Sequence, residues 1–513
     1  MLGHRDCGTH FRRTFSYLTV VIPWYIIKRN PRSTREKKLL AEVLLYCMEN
    51  VAATAVKQLN GRFSRFEDKD DAVVAPTLKK YVFVRLLPVL TRSAIAGVVV
   101  GVLVTLFNLL LELGSEFALL IGEKLETAPA YIPLFVAGML GIAVFMYFFT
   151  KKLPEGKGSG IPRTEAMMCG KKELVWWRLC IATVIGSFVS FLSGIPVGAE
   201  GPSVQFGGGL GAGIEEAGGG RNRFMRRYVG TSGIAAGVAG AFIAPCTGII
   251  FAMEEVQRKF NPLMAAACCT SVIYAYEIRV LLGGALGMKS VFFAAESVAA
   301  LPFDYLWVVL FIGLFAALSA RLFNIAILKA DSMSARSKTP AYVPLLILFA
   351  VVAAVNVLLP DNIGSGSVII SGIINMEYGW GELLVLFAVK FALVVMVFRA
   401  APTGGMMVPM LAIGTMLGAL TGFMCEAIGM PPSYVPVVAL ITMAAFFGSC
   451  IKAPITVFAL FLETTHCFDA ALPLALAVLV AYAVSVAMKQ PALYDTLWER
   501  DLERTRLKNT FRG

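Results

Sequence analysis

Three short glycine-rich turns carry the residues of this chain best suited to chemistry. The first is Gly198-Ala199-Glu200-Gly201-Pro202. Proline is favoured at the first position of a helix, where its missing N–H is not needed, so Pro202 places Glu200 just before a helix N-terminus. The unsatisfied N–H groups and the dipole of such an end favour negative charge. A carboxylate tethered there is either a helix cap or a stand-in for an anion. Gly404-Gly405-Met406-Met407-Val408-Pro409 opens a second helix in the same way. Gly156-Lys157-Gly158-Ser159-Gly160-Ile161-Pro162 supplies a third glycine-opened turn, with a hydroxyl on Ser159. Three turns of exposed N–H groups plus a hydroxyl suit a dehydrated monovalent anion. Lys157 is the one basic residue within them, whereas a polyphosphate wants several full positive charges. A carboxylate and an anion compete for one donor-lined site, so protonating Glu200 vacates it and links each proton movement to an anion movement.

The elements that must position these turns are set by the solvent. Of 513 residues, 57% are apolar and only 16% charged, against about 25% charged in a soluble chain; mean hydropathy is +0.72. This excludes disorder, nucleic-acid scaffolds and ordinary soluble enzymes. Apolar runs near 83–113, 131–150, 174–196, 229–253, 263–283, 303–328, 341–359, 381–400, 435–448, 453–463 and 470–488 predict an all-α polytopic membrane protein. Their lengths are uneven, and glycine or proline interrupts many of them. In lipid, non-helical backbone survives only where it is buried in protein or lines a cavity, so broken helices point to a site at membrane depth. An ionisable group there, such as Glu200, is expected to be functional.

The chain also matches itself. Leu153-Pro154-Glu155-x-x-Gly158-Ser159-Gly160 recurs as Leu359-Pro360-Asp361-x-x-Gly364-Ser365-Gly366. Gly198-xxx-Pro202 with Gly207, Leu210 and Gly211 recurs as Gly405-xxx-Pro409 with Gly414, Leu417 and Gly418. Ala244-Pro245-x-Thr247 followed by Glu254 recurs as Ala453-Pro454-x-Thr456 followed by Glu463. Three collinear matches, at offsets of 206, 207 and 209 residues, read as two diverged copies of a unit, about 81–285 and 300–490. Transporters built from such repeats place their sites on broken helices at the repeat interface. Whether the copies are inverted depends on an odd number of spans in each, which hydropathy alone leaves open.

The net charge of +12 lies mainly in the tails, and basic flanks stay on the cytoplasmic side, so both termini are expected inside. Those basic residues lack interleaved aromatics, which argues against nucleic acid as a partner. The ten cysteines show no disulfide framework. His4, Cys7 and His10 have metal-like spacing but no fourth ligand, and neither a metal nor a cofactor is expected.

GSGIP at 158–162, GAEGP at 198–202 and GGMMVP at 404–409, with AAGVAGAFIAPCTGIIFAMEE at 235–255 and QPALYDTL at 490–497, resemble the signature motifs of the CLC family of chloride channels and chloride/proton antiporters. The resemblance covers about residues 80–500. It implies an inverted-repeat fold with re-entrant helices and a homodimer with one pore per subunit. It also implies that Ser159, Tyr494 and the N–H groups of Met406 and Met407 coordinate chloride, and that Glu200 is the gating glutamate. By the same resemblance Glu255, with Glu254 beside it, and Glu165 carry protons from the cytoplasm. Gly158, Gly160, Pro162, Gly198, Gly201, Pro202, Gly405 and Pro409 match the glycines and prolines of the motifs. Ala199, Met407 and Thr183 stand where most members have arginine, phenylalanine and often lysine. The fluoride-exporting branch usually departs at the Ser159 and Tyr494 positions, which are intact here.

Simpler roles stand beside these. Ser159 would serve as a turn serine, Tyr494 as an interfacial aromatic, and Glu254-Glu255 as helix-end acids paired with Arg258 and Lys259. Proton-coupled antiport is the expected function, on the strength of Glu255, with a passive voltage- or pH-gated chloride channel as the alternative. An enzyme is not expected: Gly230-Thr231-Ser232-Gly233 resembles a protease serine, but the candidate base, His466, follows a later span. Residues 1–80 read as a basic cytoplasmic or interfacial helical segment, 81–495 as the transmembrane domain, and 496–513 as a short cytoplasmic tail without CBS domains. No signal peptide is expected, and the plasma (inner) membrane is the expected location.

Overall fold

The computed structural model describes residues 86–510 except 171–174, 219–221, 289–291, 294, 296, 297, 300 and 338. The segment 1–80, with its His4, Cys7 and His10, lies outside the described residues. Among those described, the chain forms seventeen α-helices. The first eight are α1 (Leu87–Thr127), α2 (Ile132–Lys152), α3 (Ile161–Met168), α4 (Trp176–Leu192), α5 (Glu200–Ala217), α6 (Arg223–Phe242), α7 (Pro245–Phe251, continued by a wider π turn over Ala252–Gln257) and α8 (Pro262–Ala285). The next eight repeat the series: α9 (Leu306–Arg336), α10 (Tyr342–Leu358), α11 (Ser367–Ile374), α12 (Trp380–Ala400), α13 (Met407–Ala427), α14 (Val435–Ile451), α15 (Pro454–Thr465) and α16 (Ala471–Ala487). α17 (Leu493–Thr510) follows.

The repeat read from the sequence is therefore a repeat of structure. Leu153 and Leu359 end α2 and α10 in nearly the same backbone conformation, with ψ of 72° and 71°, each followed by one 3-10 turn. Ile243 and Lys452 end α6 and α14 in the left-handed region, at φ 57° and 62°. Corresponding ends also meet. Gly198 N–H donates to Gly405 O and Gly405 N–H to Gly198 O, both at 2.8 Å, where α5 and α13 begin. Helices that correspond in sequence and meet N-terminus to N-terminus are what an inverted repeat produces.

Eight of the helices are long and apolar enough to cross a membrane: α1, α2, α8, α9, α12, α13, α14 and α16. Their outward faces carry exposed Leu103, Leu106 and Phe117 on α1, and Leu310, Phe311 and Leu314 on α9. Such a surface suits lipid. The interior is α14, all of whose residues are buried, packed between α9, α13 and α16.

Hydropathy mislocated several helices for a physical reason. The run 229–253 is two helices, broken at Ile243. α13 falls between the apolar runs although it is apolar enough to cross a membrane; α5 falls between them too and contains six glycines, each costing about 1 kcal/mol relative to alanine in a helix. α5 forms because it lies against α6 with almost no space between the backbones. A Cβ on Gly207 would stand 2.3 Å from the carbonyl oxygen of Gly233, and one on Gly233 the same distance from Gly207 O. Small residues let intramembrane helices approach in this way.

The two repeats are also fastened by exchanged caps. Glu254, at the end of the α7 segment, accepts from Ile455 N (3.2 Å), Thr456 N (2.7 Å) and Thr456 Oγ1 (2.7 Å) at the start of α15. Glu463, near the end of α15, accepts from Cys246 N (2.8 Å), Thr247 N (2.7 Å) and Thr247 Oγ1 (2.7 Å) at the start of α7. Bonds to a charged acceptor contribute about 1.5–3 kcal/mol each. Glu463→Gln keeps an acceptor but loses the charge, so it is expected to destabilise the protein by about 2 kcal/mol. A thermal unfolding midpoint equal to that of the parent protein would count against the clasp.

Candidate functional site

The three glycine-rich turns come together at Gly201. A Cβ there would lie 2.3 Å from Ser159 O and 2.8 Å from Gly405 Cα, so only glycine lets the turns touch. Gly158 and Gly160 take φ of 82° and 81°, a left-handed conformation that side chains disfavour. The Ser159 turn is tied across to the second repeat, Gly158 N–H donating to Pro402 O at 3.1 Å and Gly404 N–H to Gly158 O at 3.3 Å. Gln205 of α5 braces the turn from below, donating to Glu155 O at 2.7 Å.

Glu200 is not just before its helix but opens it, with Pro202 third rather than first. Any position in the first turn has no helical partner for its N–H, so proline fits equally well there; Pro409 is likewise third in α13 and Pro162 second in α3. The Glu200 side chain is buried and crosses to the other repeat, where Oε1 accepts from Val408 N at 3.1 Å. The N–H groups of Met407 and of Glu200 itself also act on this carboxylate. The acid thus lies against Gly198 and Gly405, over the N-terminus of α13. The carboxylate therefore reaches the N-terminus of a helix in the other repeat as well as its own backbone N–H.

Tyr494, second residue of α17, is fully buried, and its hydroxyl has no hydrogen-bond partner among the described residues. It is no interfacial aromatic. It lies within electrostatic reach of Glu200, Glu255 and Glu165. Ser159 is half-buried, and Met406 and Met407 are buried at the α13 start.

Glu165 on α3 and Glu255 in the π turn are buried. With Asp495, next to Tyr494, they bring carboxylate oxygens within 4.8 Å of one another. Arg258 pairs with Asp495 and stands 3.9 Å from Glu165. The guanidinium already supplies positive charge, so this group is an ion-paired network rather than a metal centre. Asp495 escaped the sequence reading although it sits inside PALYDTL; the signal was an acid at the first turn of a helix beside a motif tyrosine. Glu254 turns away from this group, its oxygens taken by α15.

Thr183 is buried, its hydroxyl bonded to Leu179 O of its own helix at 2.7 Å. The position one repeat later holds Lys390, also missed by the sequence reading. It is fully buried and donates to Asn362 O at 2.7 Å and Gly364 O at 2.9 Å, so its charge is spent on the turn that mirrors Ser159's. Ser232 is buried on α6 and donates to Val229 O at 2.9 Å. Its hydroxyl serves its own helix. Ser232→Ala is expected to leave ion transport within about twofold of the parent protein, as for changes that break no special feature; transport lost in that variant, with a peptide no longer cleaved, would revive a protease.

Comparison with known proteins adds to this geometry. Residues 141–486 match the family described as voltage gated chloride channel. The H(+)/Cl(-) exchange transporter ClcA of Vibrio cholerae serotype O1 is 30% identical over 437 residues, 82% of this chain and 91% of that protein. The protein of the same name from Citrobacter koseri is 28% identical over 432 residues, covering 82% and 89%. Among solved structures, a slow cyanobacterial Cl-/H+ antiporter shares the fold with a TM-score of 0.75 at 24% identity, over 82% of this chain and 99% of that one. A CLC-type fluoride/proton antiporter does so with a TM-score of 0.67 at 21% identity, over 80% and 98%.

Proposed function

The chain belongs to the voltage gated chloride channel (CLC) family, and from that premise we propose that it exchanges chloride for protons across a membrane. The observation that carries the reading is the Glu200 carboxylate on the N–H groups at the start of α13. An acid that occupies an anion site when charged must leave it when neutral, since a carboxyl group gains far less there from the helix end than a carboxylate does. Chloride then enters, and the proton on Glu200 moves only when the anion yields its place. Relatives named as exchange transporters favour this over the channel reading.

In this scheme Ser159, Tyr494 and the N–H groups of Met406 and Met407 hold the chloride. The Tyr494 hydroxyl is buried without a partner among the described residues, which costs about 1–3 kcal/mol unless something accepts from it; a bound anion does so. Glu165 and Glu255 carry protons from the cytoplasmic side to Glu200. We leave Glu254 to its capping role. Residues 1–80 and the end of α17 lie in the cytoplasm, the transmembrane domain resides in the plasma (inner) membrane, and the protein works as a homodimer without a cofactor or nucleic acid.

Purified protein in sealed vesicles decides the matter. With an outward chloride gradient imposed, protons are expected to move against their own gradient. Robust chloride flux with no proton movement would make the protein a channel instead.

A further inference from the structure

The inner carboxylates have a route to solvent that neither of them provides. Glu165 and Glu255 are buried, with the Glu165 side chain only 4% exposed, whereas the Asp495 side chain is 29% exposed. The three acids share one tight group, a separation that a single water or a small rotation bridges for proton transfer. Both Glu165 oxygens and Glu255 Oε1 are buried without a hydrogen bond among the described residues, while Asp495 Oδ1 faces the Arg258 guanidinium. Buried carboxylate oxygens left without a donor call for an explanation, and exchange of a proton with a half-exposed acid beside them supplies one.

We propose that Asp495 is the solvent-facing proton carrier of the inner route, and that Arg258 holds it in place. This rests on the antiport reading above. A proton taken from water by Asp495 neutralises it and releases the ion pair with Arg258. The proton then passes to a carboxylate oxygen of Glu165 or Glu255, and Asp495 returns as a carboxylate to Arg258. One O–H bond breaks as another forms, and no other group changes. Arg258 is fixed for this task, since Nε donates to Glu255 O at 3.1 Å and its own φ of 51° turns the chain at the end of the π segment. Asp495 lies in the first turn of α17, where the helix dipole favours its charged form between transfers.

The other charged groups nearby are already engaged. On α3, Arg163 donates to the carbonyl oxygens of Pro154 and Glu155 and stands 4.0 Å from Asp501. On α9, Asp331 is held by Arg500 and Arg504, and α14 carries no charge. A pH response at this face therefore belongs to Asp495, Glu165, Glu255 and Arg258 together.

Vesicle flux measured for the parent protein, Asp495→Asn and Asp495→Glu tests the proposal. Asp495→Asn is expected to lower proton flux about tenfold, so that more chloride moves per proton. Its chloride flux should stay within about twofold, which also shows that the variant folds. Asp495→Glu should restore proton flux, and the dependence of that flux on inner pH should flatten in Asp495→Asn alone. Equal loss of both fluxes in Asp495→Asn would make Asp495 a scaffold residue and overturn the proposal, as would unchanged coupling. A parent protein that moves no protons at all would bring down the antiport reading and this proposal with it; a coupled parent with a coupled Asp495→Asn brings down this proposal alone.

Discussion

Glu200→Ala is expected to abolish proton movement while chloride continues to cross. Among the described residues the carboxylate is the acid that reaches the N–H groups at the start of α13. In the proposed scheme it links an anion site built by backbone donors to the acids around Tyr494. Without it the cradle stays open to chloride, and protons have no carrier between Glu165 or Glu255 and the far side. The fall in proton flux should reach about a hundredfold or more, the scale of losing a positioned acid–base group. Retained proton pumping against a gradient in this variant would refute the role assigned to Glu200. The chloride flux that remains should also lose whatever part of its pH dependence comes from this carboxylate.

The second large effect concerns the frame. Gly207→Val is expected to cost at least about 3 kcal/mol, because overpacking here cannot be relieved by a side chain. The obstacle is the carbonyl oxygen of Gly233, 2.3 Å from where the new Cβ would sit. α5 and α6 would have to separate along their length, and α5 carries Glu200 at its start. The measurement is thermal unfolding of the purified protein together with its yield as a monodisperse species. A melting point equal to that of the parent protein would mean the helices are not in the contact described. Gly141→Ala in α2 provides the contrast: nothing lies within 4 Å of its Cβ, and the change should shift stability by less than about 1 kcal/mol.

These two residues also mark how far the sequence could be read. The motif turns were legible because glycine and proline at fixed spacing mean helix starts, and Gly198, Gly201 and Gly405 do converge on one point. The repeat was legible because Ala244-Pro245 and Ala453-Pro454 perform the same task in each copy. Hydropathy failed at α5, where glycine serves packing instead of lipid, and at α3 and α11, which at eight residues each are too short to register as apolar runs. The hand of the repeat, open in the sequence, follows from contacts between residues some 200 positions apart. Glu254 and Glu255 looked equivalent as neighbours in the chain, yet one caps a helix of the other repeat and the other joins the Arg258 group. Adjacent positions on a helix point in different directions, and nothing in the two letters says which is which. Asp495 and Lys390 were missed for the opposite reason: each acts through partners that only folding brings near.

The exchanged caps of Glu254 and Glu463 bear on how such a protein can move. Swinging one repeat against the other would pull both glutamates from their helices and break six hydrogen bonds to charged acceptors at once, a cost on the order of 10 kcal/mol. The reciprocal glycine bonds between Gly198 and Gly405 would go too. A barrier of that size, added to any chemistry, holds turnover far below the rate at which a single side chain reorients. The seam therefore resists relative motion of the two halves, and under the antiport reading the travelling parts are small: one carboxylate arm, an ion and a proton.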